Sequence, residues 1–175
     1  YHLAQRGADV LGIDQYPTGH DKGSSHGDSR LIRLVYFEHP DYVPLLHTAY
    51  TLWRELEVTS GNSLLRMTGL LQAGPEKGEV IDGLLQAART HNLKMERLDA
   101  ATANKRFPGI TLKPQQTAIY DQNAGILQVE ECVKTHVRLA QHHGAQLRSG
   151  FVNSWQQEKH RIAISVGNET LYCKK

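Results

Sequence analysis

Residues 1–14 read YHLAQRGADVLGID, and this stretch decides the fold. Tyr1 to Gln5 has the makeup of the last turns of a helix. Gly7 stands where a helix C-terminal glycine belongs, because a residue without Cβ enters the left-handed conformation there at little cost. From Ala8 to Asp14 a short apolar run stops at an acid, the pattern of a buried parallel strand. A helix tail feeding such a strand predicts an α/β fold.

Working outward, strand and helix patterns alternate. Asp41 to Glu57 puts Leu45, Leu46, Ala49, Trp53 and Leu56 on one helical stripe. Met67 to Ala73 reads as a single strand. A second helix is predicted from Glu76 to His91, with Val80, Ile81, Leu84, Leu85 and Ala88 facing inward. Asp99 is placed to cap a short helix that must stop before Pro108, since a residue preceding proline resists helical geometry. Thr117 to Asp121 and Gly125 to Leu127 read as strands flanking a turn. Val129 to His143 reads as a longer helix, with Val129, Cys132, Val133, Val137 and Ala140 on its apolar side. Phe151 to Gln156, Arg161 to Val166 and Thr170 to Cys173 read as β structure, the last two joined at Gly167-Asn168. The fold class is therefore mixed α/β (α+β).

Composition narrows the function classes. The 175 residues suffice for one ordinary domain or parts of two, and the 39% hydrophobic and 22% charged content is that of a globular protein. A net charge of +2 with interleaved signs makes no basic face, so nucleic acid is not expected as a partner. No apolar run reaches membrane-span length and no signal-peptide pattern opens the chain, so no membrane partner is expected. The two cysteines, Cys132 and Cys173, lie far apart; they argue against a structural zinc site, and no metal is expected. They fit a reducing compartment, and the expected location is the cytoplasm. Cys132 falls on an apolar helix face and reads as core. His142 and His143 close a helix, where imidazolium meets the negative end of the dipole. His20 and Asp21 read as loop surface.

In a dinucleotide-binding βαβ unit, a glycine-rich turn feeds the helix, and the second strand ends in an acid that hydrogen-bonds a ribose. Asp14 has that place, although many acids merely end strands. The glycine-rich turn would lie before Tyr1. With no initiator methionine, and with the far end stopping just after a hairpin, the chain is expected to be a fragment.

The densest chemistry is Gly23 to Arg33, GSSHGDSRLIR. Glycines permit close backbone approach to a ligand, while Ser24, Ser25, His26, Arg30 and Arg33 supply donors and positive charge. By composition alone this could be a solvated turn before a strand or a generic anion patch. Together with Asp14, the passage GIDQYPTGHDKGSSHGDSRLIR resembles the monomeric sarcosine oxidase and N-methyltryptophan oxidase family of FAD-dependent amine oxidases, and the related pipecolate oxidases. Further matches are Tyr36, YVPL at 42–45, the Trp53 helix, TGLL at 68–71, KRFPGI at 105–110 and AGIL at 124–127.

The resemblance implies a fragment of a Rossmann-like FAD-binding domain (residues 1–65 and 123–175) interrupted by part of a sheet-and-helix catalytic domain (66–122). It implies that Asp14 binds the FAD ribose, that Ser24 and Ser25 lie against the cofactor, and that Val152 meets the adenine through its main chain. His26 would sit close to the isoalloxazine ring, Arg30 over or beside it, and Arg33 would bind the carboxylate of an amino-acid substrate. His26 and Arg30 are thus the candidate catalytic residues.

The residue types suit these roles. Reduced flavin is electron-rich, and fixed positive charge near it counts for more in a dry site than in water. Arginine stays protonated, stacks on rings and grips a carboxylate by two parallel hydrogen bonds. Three residues apart, Arg30 and Arg33 would share a helical face but oppose each other on a strand, so a bent segment is expected.

The implied activity is oxidation of the C–N bond of a secondary amino acid, with oxygen as acceptor and hydrogen peroxide as product. The partners are thus a small amino acid and oxygen, the parent being a monomer. The family's flavin-linking cysteine and oxygen-activating lysine have no counterpart here, so the piece alone is expected to be inactive. A related flavin-dependent amino-acid oxidase or dehydrogenase, and a degenerate non-catalytic fragment, remain alternatives.

Overall fold

The structure, a computed structural model, describes residues 1–174. The elements begin with α1 (His2–Gln5), β1 (Leu11–Asp14), β2 (Arg30–Ile32), α2 (Tyr42–Ser60), β3 (Leu65–Met67) and β4 (Leu70–Pro75). Next come α3 (Glu79–Thr90), β5 (Glu96–Asp99), α4 (Ala100–Arg106), β6 (Gln116–Asp121) and β7 (Gly125–Leu127). The chain continues through α5 (Val129–His142), β8 (Gln146–Ser149), β9 (Val152–Gln157), β10 (Arg161–Val166) and β11 (Glu169–Lys174). Mixed α/β architecture is thus observed. Packing divides the chain into two compact units, Tyr1–Asp28 with Val129–Lys175, and Ser29–Gln128.

In the first unit, β1 runs parallel to β8, with Leu11 opposite Gln146 and Asp14 opposite Ser149. The parallel direction follows the sequence reading; the expected full burial does not, since Leu11 is 44% exposed. A strand with one neighbour leaves part of its surface uncovered. Strand β8 (QLRS) went unread because four largely polar residues carry no apolar pattern, and only pairing with β1 defines it. Helices α1 and α5 meet at Ala4 and Ala140, joined by Ala145 just beyond α5, small residues that permit close approach. Cys132 is buried, as expected, and Cys173 is exposed. Strands β9, β10 and β11 form an antiparallel sheet in the order β11-β10-β9.

The second unit holds two antiparallel sheets, β2-β7-β3 and β4-β6-β5. The amphipathic helix α3 packs Ile81, Leu84 and Ala87 against Val35 and Ile119, with Leu34 and Phe37 at the edge of that core. Asp99 caps α4 as expected, accepting the Thr102 amide at 2.7 Å.

Two expectations need correction. The strand read as Met67 to Ala73 is broken, because β3 pairs with β7 while β4 pairs with β6. The chain changes sheets at Gly69, whose φ of +70° suits glycine, and a Cβ there would overlap the Tyr120 hydroxyl. Thr68 and Gly69 both donate their amides to the Ala124 carbonyl. Leu45, assigned to the inward stripe of α2, is 68% exposed; Leu56 is buried as expected, Leu46, Ala49 and Trp53 are partly buried, and Val43 opens the stripe in place of Leu45. Leu45 adjoins Leu46 in the chain but stands roughly 100° further round the helix.

Glu57 secures the end of α2. One oxygen accepts the Leu64 and Leu65 amides at 2.7 and 2.8 Å, and the other accepts from Arg54 at 2.6 Å. Burial opposes its charge, but the Leu65 amide, Arg54 and the Leu64 amide prevail and hold the carboxyl below its ordinary pKa. Glu57→Ala strands these amides and is expected to cost about 3 kcal/mol in urea unfolding at neutral pH. A depressed carboxyl pKa gives stability that is full above the unfolded value and disappears as pH falls through the folded one. Wild type and variant should therefore converge in acid, and a gap independent of pH would contradict this account.

Candidate functional site

The carboxyl ends of β1 and β8 open onto a cleft of about 520 Å³ in the first unit, lined by Asp14, Tyr16, His20, Val133, Val137 and Arg148 among others. Crevices at the carboxyl ends of parallel strands are where open α/β sheets bind ligands. Asp14, the last residue of β1, keeps 60% of its side chain exposed. The Tyr16 amide donates to Oδ1 at 2.9 Å and is the main reason the carboxyl titrates below its ordinary value; partial burial acts against this and His20 adds to it. His20 Nε2 stands 3.5 Å from Oδ2, with its side chain only 23% exposed. His20 is therefore not the loop-surface residue expected. Folding of the 15–20 turn back over Asp14 brings it there, and the sequence signals no such return. Asp21 is exposed and pairs with Lys22 at 3.1 Å.

The remainder of the loop is tied to α5. The Gly27 amide donates to Glu130 Oε1 at 3.0 Å, which anchors the turn carrying Ser24, Ser25 and His26 on the first turn of that helix. All three side chains are exposed. His26 Nδ1 is hydrogen-bonded to the Gly23 carbonyl oxygen; a carbonyl only accepts, so this bond places the proton on Nδ1 and leaves Nε2 as the acceptor in the neutral ring. Val152, 38% exposed, lies elsewhere in the unit, on an apolar groove of about 480 Å³ with Leu11, Ile13, Trp155 and Ile164.

Arg30 and Arg33 belong to the second unit. Arg30 opens β2 opposite Leu127, is exposed, and donates from Nη1 to the Ser29 carbonyl at 2.8 Å. Strand β2 ends at Ile32, so the piece that joins the two arginines is extended and Arg33 follows it directly. Arg33 is enclosed, with 18% of its side chain exposed. Its guanidinium lies over the Tyr36 ring, 4.0 Å from the centroid, a cation–π arrangement. Glu38 approaches Nη2 only to 3.8 Å, beyond hydrogen-bond reach. Nε is buried without a hydrogen-bond partner among the described residues.

Beside this segment lies a polar group the sequence reading passed over. Asp121, 1% exposed, accepts the Asn123 amide on Oδ1 at 2.9 Å, while Tyr50 donates its hydroxyl to the Asn123 carbonyl at 2.6 Å. Burial raises the Asp121 pKa, against the opposing pull of the Asn123 and Leu34 amides. Tyr50 is likewise raised, first by burial and then by its electrostatic interaction with Asp121. An acid ending a strand just before an Asn-containing turn was the available signal. Among the described residues, no group of three or more His, Cys, Asp or Glu side chains is arranged to hold a metal ion, and no helix is long and apolar enough to cross a membrane.

The residues of the first unit fit a dinucleotide: an accessible carboxylate stands at the carboxyl end of a parallel strand, over a cleft wide enough for a nucleoside. Comparison with known proteins agrees. The family described as DAO, FAD dependent oxidoreductase, matches residues 1–172. The chain is 38% identical to a monomeric sarcosine oxidase of Streptomyces avermitilis over 171 residues, which is 97% of this chain and 44% of that protein. It is 32% identical to N-methyl-L-tryptophan oxidase of Citrobacter koseri, covering 100% of this chain and 47% of that one. The chain thus spans less than half the length of these relatives. Among solved structures, an open form of NikD, an unusual amino acid oxidase essential for nikkomycin biosynthesis, superposes with a TM-score of 0.88. That match covers 97% of this chain and 44% of NikD at 23% identity, a likeness of fold.

Proposed function

Because the chain belongs to the family of FAD dependent oxidoreductases, we propose that the whole protein is an amine oxidase acting on a secondary amino acid, sarcosine or another N-methyl amino acid. When bound, FAD would supply the redox chemistry, by which the substrate loses a hydride equivalent from the carbon beside nitrogen and a proton from nitrogen to become an imine, the two electrons and two protons going finally to oxygen as hydrogen peroxide. The residues of this chain bind and orient. Asp14 accepts hydrogen bonds from the ribose hydroxyls of FAD, Ser24 and Ser25 line the cofactor, and Val152 meets the adenine through its main chain. His26 and Arg30 stand at the isoalloxazine ring, where positive charge favours the electron-rich reduced form. Arg33 holds the substrate carboxylate. Residues 66–122 contribute to the catalytic part, while 1–65 and 123–175 contribute to FAD binding. The protein is read as a cytoplasmic monomer.

One observation carries the substrate assignment: Arg33 is enclosed, stacked on Tyr36, and retains an unpaired donor with its nearest carboxylate at 3.8 Å. A guanidinium held in this way is suited to a small external carboxylate, which it can grip with two parallel bonds.

The test is spectroscopic. The purified whole protein should show flavin absorbance, bleach under anaerobic mixing with sarcosine, N-methyltryptophan or pipecolate, and release peroxide when air is admitted. A colourless protein, or a flavin that none of the three reduces, would refute the proposal. Asp14→Ala should weaken FAD binding on the order of tenfold or more, since it removes a charged acceptor of hydroxyl hydrogen bonds. Titration of the flavin-free protein with FAD measures this, and unchanged affinity would remove Asp14 from the cofactor site.

A further inference from the structure

The loop after β1 folds back on the acid that ends the strand. The His20 amide donates to the Pro17 carbonyl at 3.1 Å, closing a turn, and the Lys22 amide donates to His20 Nδ1 at 3.0 Å. A ring nitrogen that accepts an amide hydrogen carries no proton, so in the neutral imidazole the proton is on Nε2. That nitrogen is the one beside the acid, 3.5 Å from Asp14 Oδ2. The Tyr16 ring lies against the imidazole, with centroids 5.1 Å apart, and only 23% of the His20 side chain is exposed. Both carboxylate oxygens are thus addressed, Oδ1 by the Tyr16 amide at 2.9 Å and Oδ2 by His20. The longer contact orients Oδ2 without occupying it as a short hydrogen bond would. An acid with 60% of its side chain exposed would otherwise sample several rotamers, and fixing one before a ligand arrives spares that cost on binding.

We propose that His20 is a positioning residue for Asp14: with Nδ1 held by the Lys22 amide, its Nε2–H sets the carboxylate in the orientation that receives the ribose hydroxyls of FAD. The inference rests on the reading of Asp14 as the ribose site, and His20 acts through Asp14.

The experiment titrates the flavin-free whole protein with FAD, comparing wild type with His20→Ala, His20→Gln, His20→Asn, Asp14→Ala and the double variant Asp14→Ala/His20→Ala. His20→Ala should raise Kd about fivefold, the effect of one more side chain left to be ordered on binding. Glutamine and asparagine divide the roles of the two ring nitrogens. The amide nitrogen of glutamine reaches the place of Nε2 and can donate to Asp14. Asparagine ends near the place of Nδ1, where its oxygen can accept the Lys22 amide while nothing reaches the carboxylate. His20→Gln should therefore keep Kd within about twofold of wild type, and His20→Asn should bind as weakly as the alanine variant. In the Asp14→Ala background the His20→Ala effect should vanish, because no carboxylate is left to orient.

A histidine that only shapes the loop gives the opposite order, with asparagine restoring affinity and glutamine failing to, and that result overturns the inference. Equal weakening by all three His20 variants overturns it as well, as does wild-type affinity in His20→Ala. A full His20→Ala loss in the absence of the Asp14 carboxylate would mean that His20 does not act through it, and this too overturns the inference. Should the alanine variant fail to fold, the order of glutamine and asparagine decides. Asp14→Ala separates the two levels. If it leaves Kd unchanged, the ribose reading fails; if it raises Kd while the His20 variants do not, only the positioning role fails.

Discussion

Arg33→Ala is expected to lower kcat/KM for an N-methyl amino acid by roughly 10²–10³-fold, about 3–4 kcal/mol, the range seen when one partner of an enclosed charge pair is removed. The loss should appear mainly in KM, because the guanidinium binds a group that does not react. Some should reach kcat, since the carboxylate also sets the position of the reacting carbon. Arg33→Lys should recover only part of the loss. An ammonium keeps the charge but has neither the fork for a carboxylate nor the flat face that stacks on Tyr36, 4.0 Å away. Steady-state kinetics on the whole protein decide the matter. Wild-type KM in the alanine variant would place the substrate carboxylate elsewhere, and Glu38, 3.8 Å from Nη2, would then be the sole reason for the charge.

Gly83→Ala carries the second large effect, and its sign is the informative part. Gly83 lies within α3, where alanine is ordinarily favoured by about 0.8–1 kcal/mol. On sequence grounds the substitution should therefore stabilise. In the structure a Cβ at Gly83 would overlap the Phe37 carbonyl oxygen, with the Phe37 carbonyl carbon and Cα at 2.8 and 2.9 Å. These are backbone atoms, and they cannot turn aside as a side chain would. Relief requires the helix or the 34–37 segment to shift, and that segment packs Leu34, Val35 and Phe37 into the α3 core. The expected outcome is a loss of about 2–3 kcal/mol in thermal or urea unfolding, the upper range for overpacking. In the whole protein a raised KM should accompany it, because the displaced segment follows directly on Arg33. A rise in stability near the helix-propensity value would show that the segment gives way without cost.

Legibility was uneven, for physical reasons. Helices α3 and α5 were readable because each buries one face, so apolar spacing reports burial directly. The Gly7 and Gly167 positions were readable too, since a positive φ (+83° and +58°) leaves a mark in residue type. Strand β8 left no such mark: its side chains are mostly exposed or half-exposed, and its identity lies in main-chain pairing. The break at Gly69 was hidden for a related reason, because membership of one sheet or another is settled by a distant partner, β7 or β6. Leu45 was misplaced because it is as apolar as its neighbour Leu46, and residue type alone does not say which of two adjacent leucines faces inward on a helix.

The site divides along the same line. Residues 23–33 offered small residues for close approach and two arginines for negative charge, and Asp14 an acid ending the first strand; the roles themselves came from the resemblance to a family. The sequence by itself thus determined which groups are available, together with the alternation of helices and strands that carries them. Only the tertiary structure decided that Arg33 is enclosed while Arg30 is exposed, that His20 turns back to Asp14, and that Asp121 is buried. Enclosure, return and burial depend on what residues far away in the chain place beside a side chain, and no local pattern encodes them. Residue type sets what a group can do, whereas its surroundings set how strongly it does it, because desolvation and orientation are properties of the packed fold.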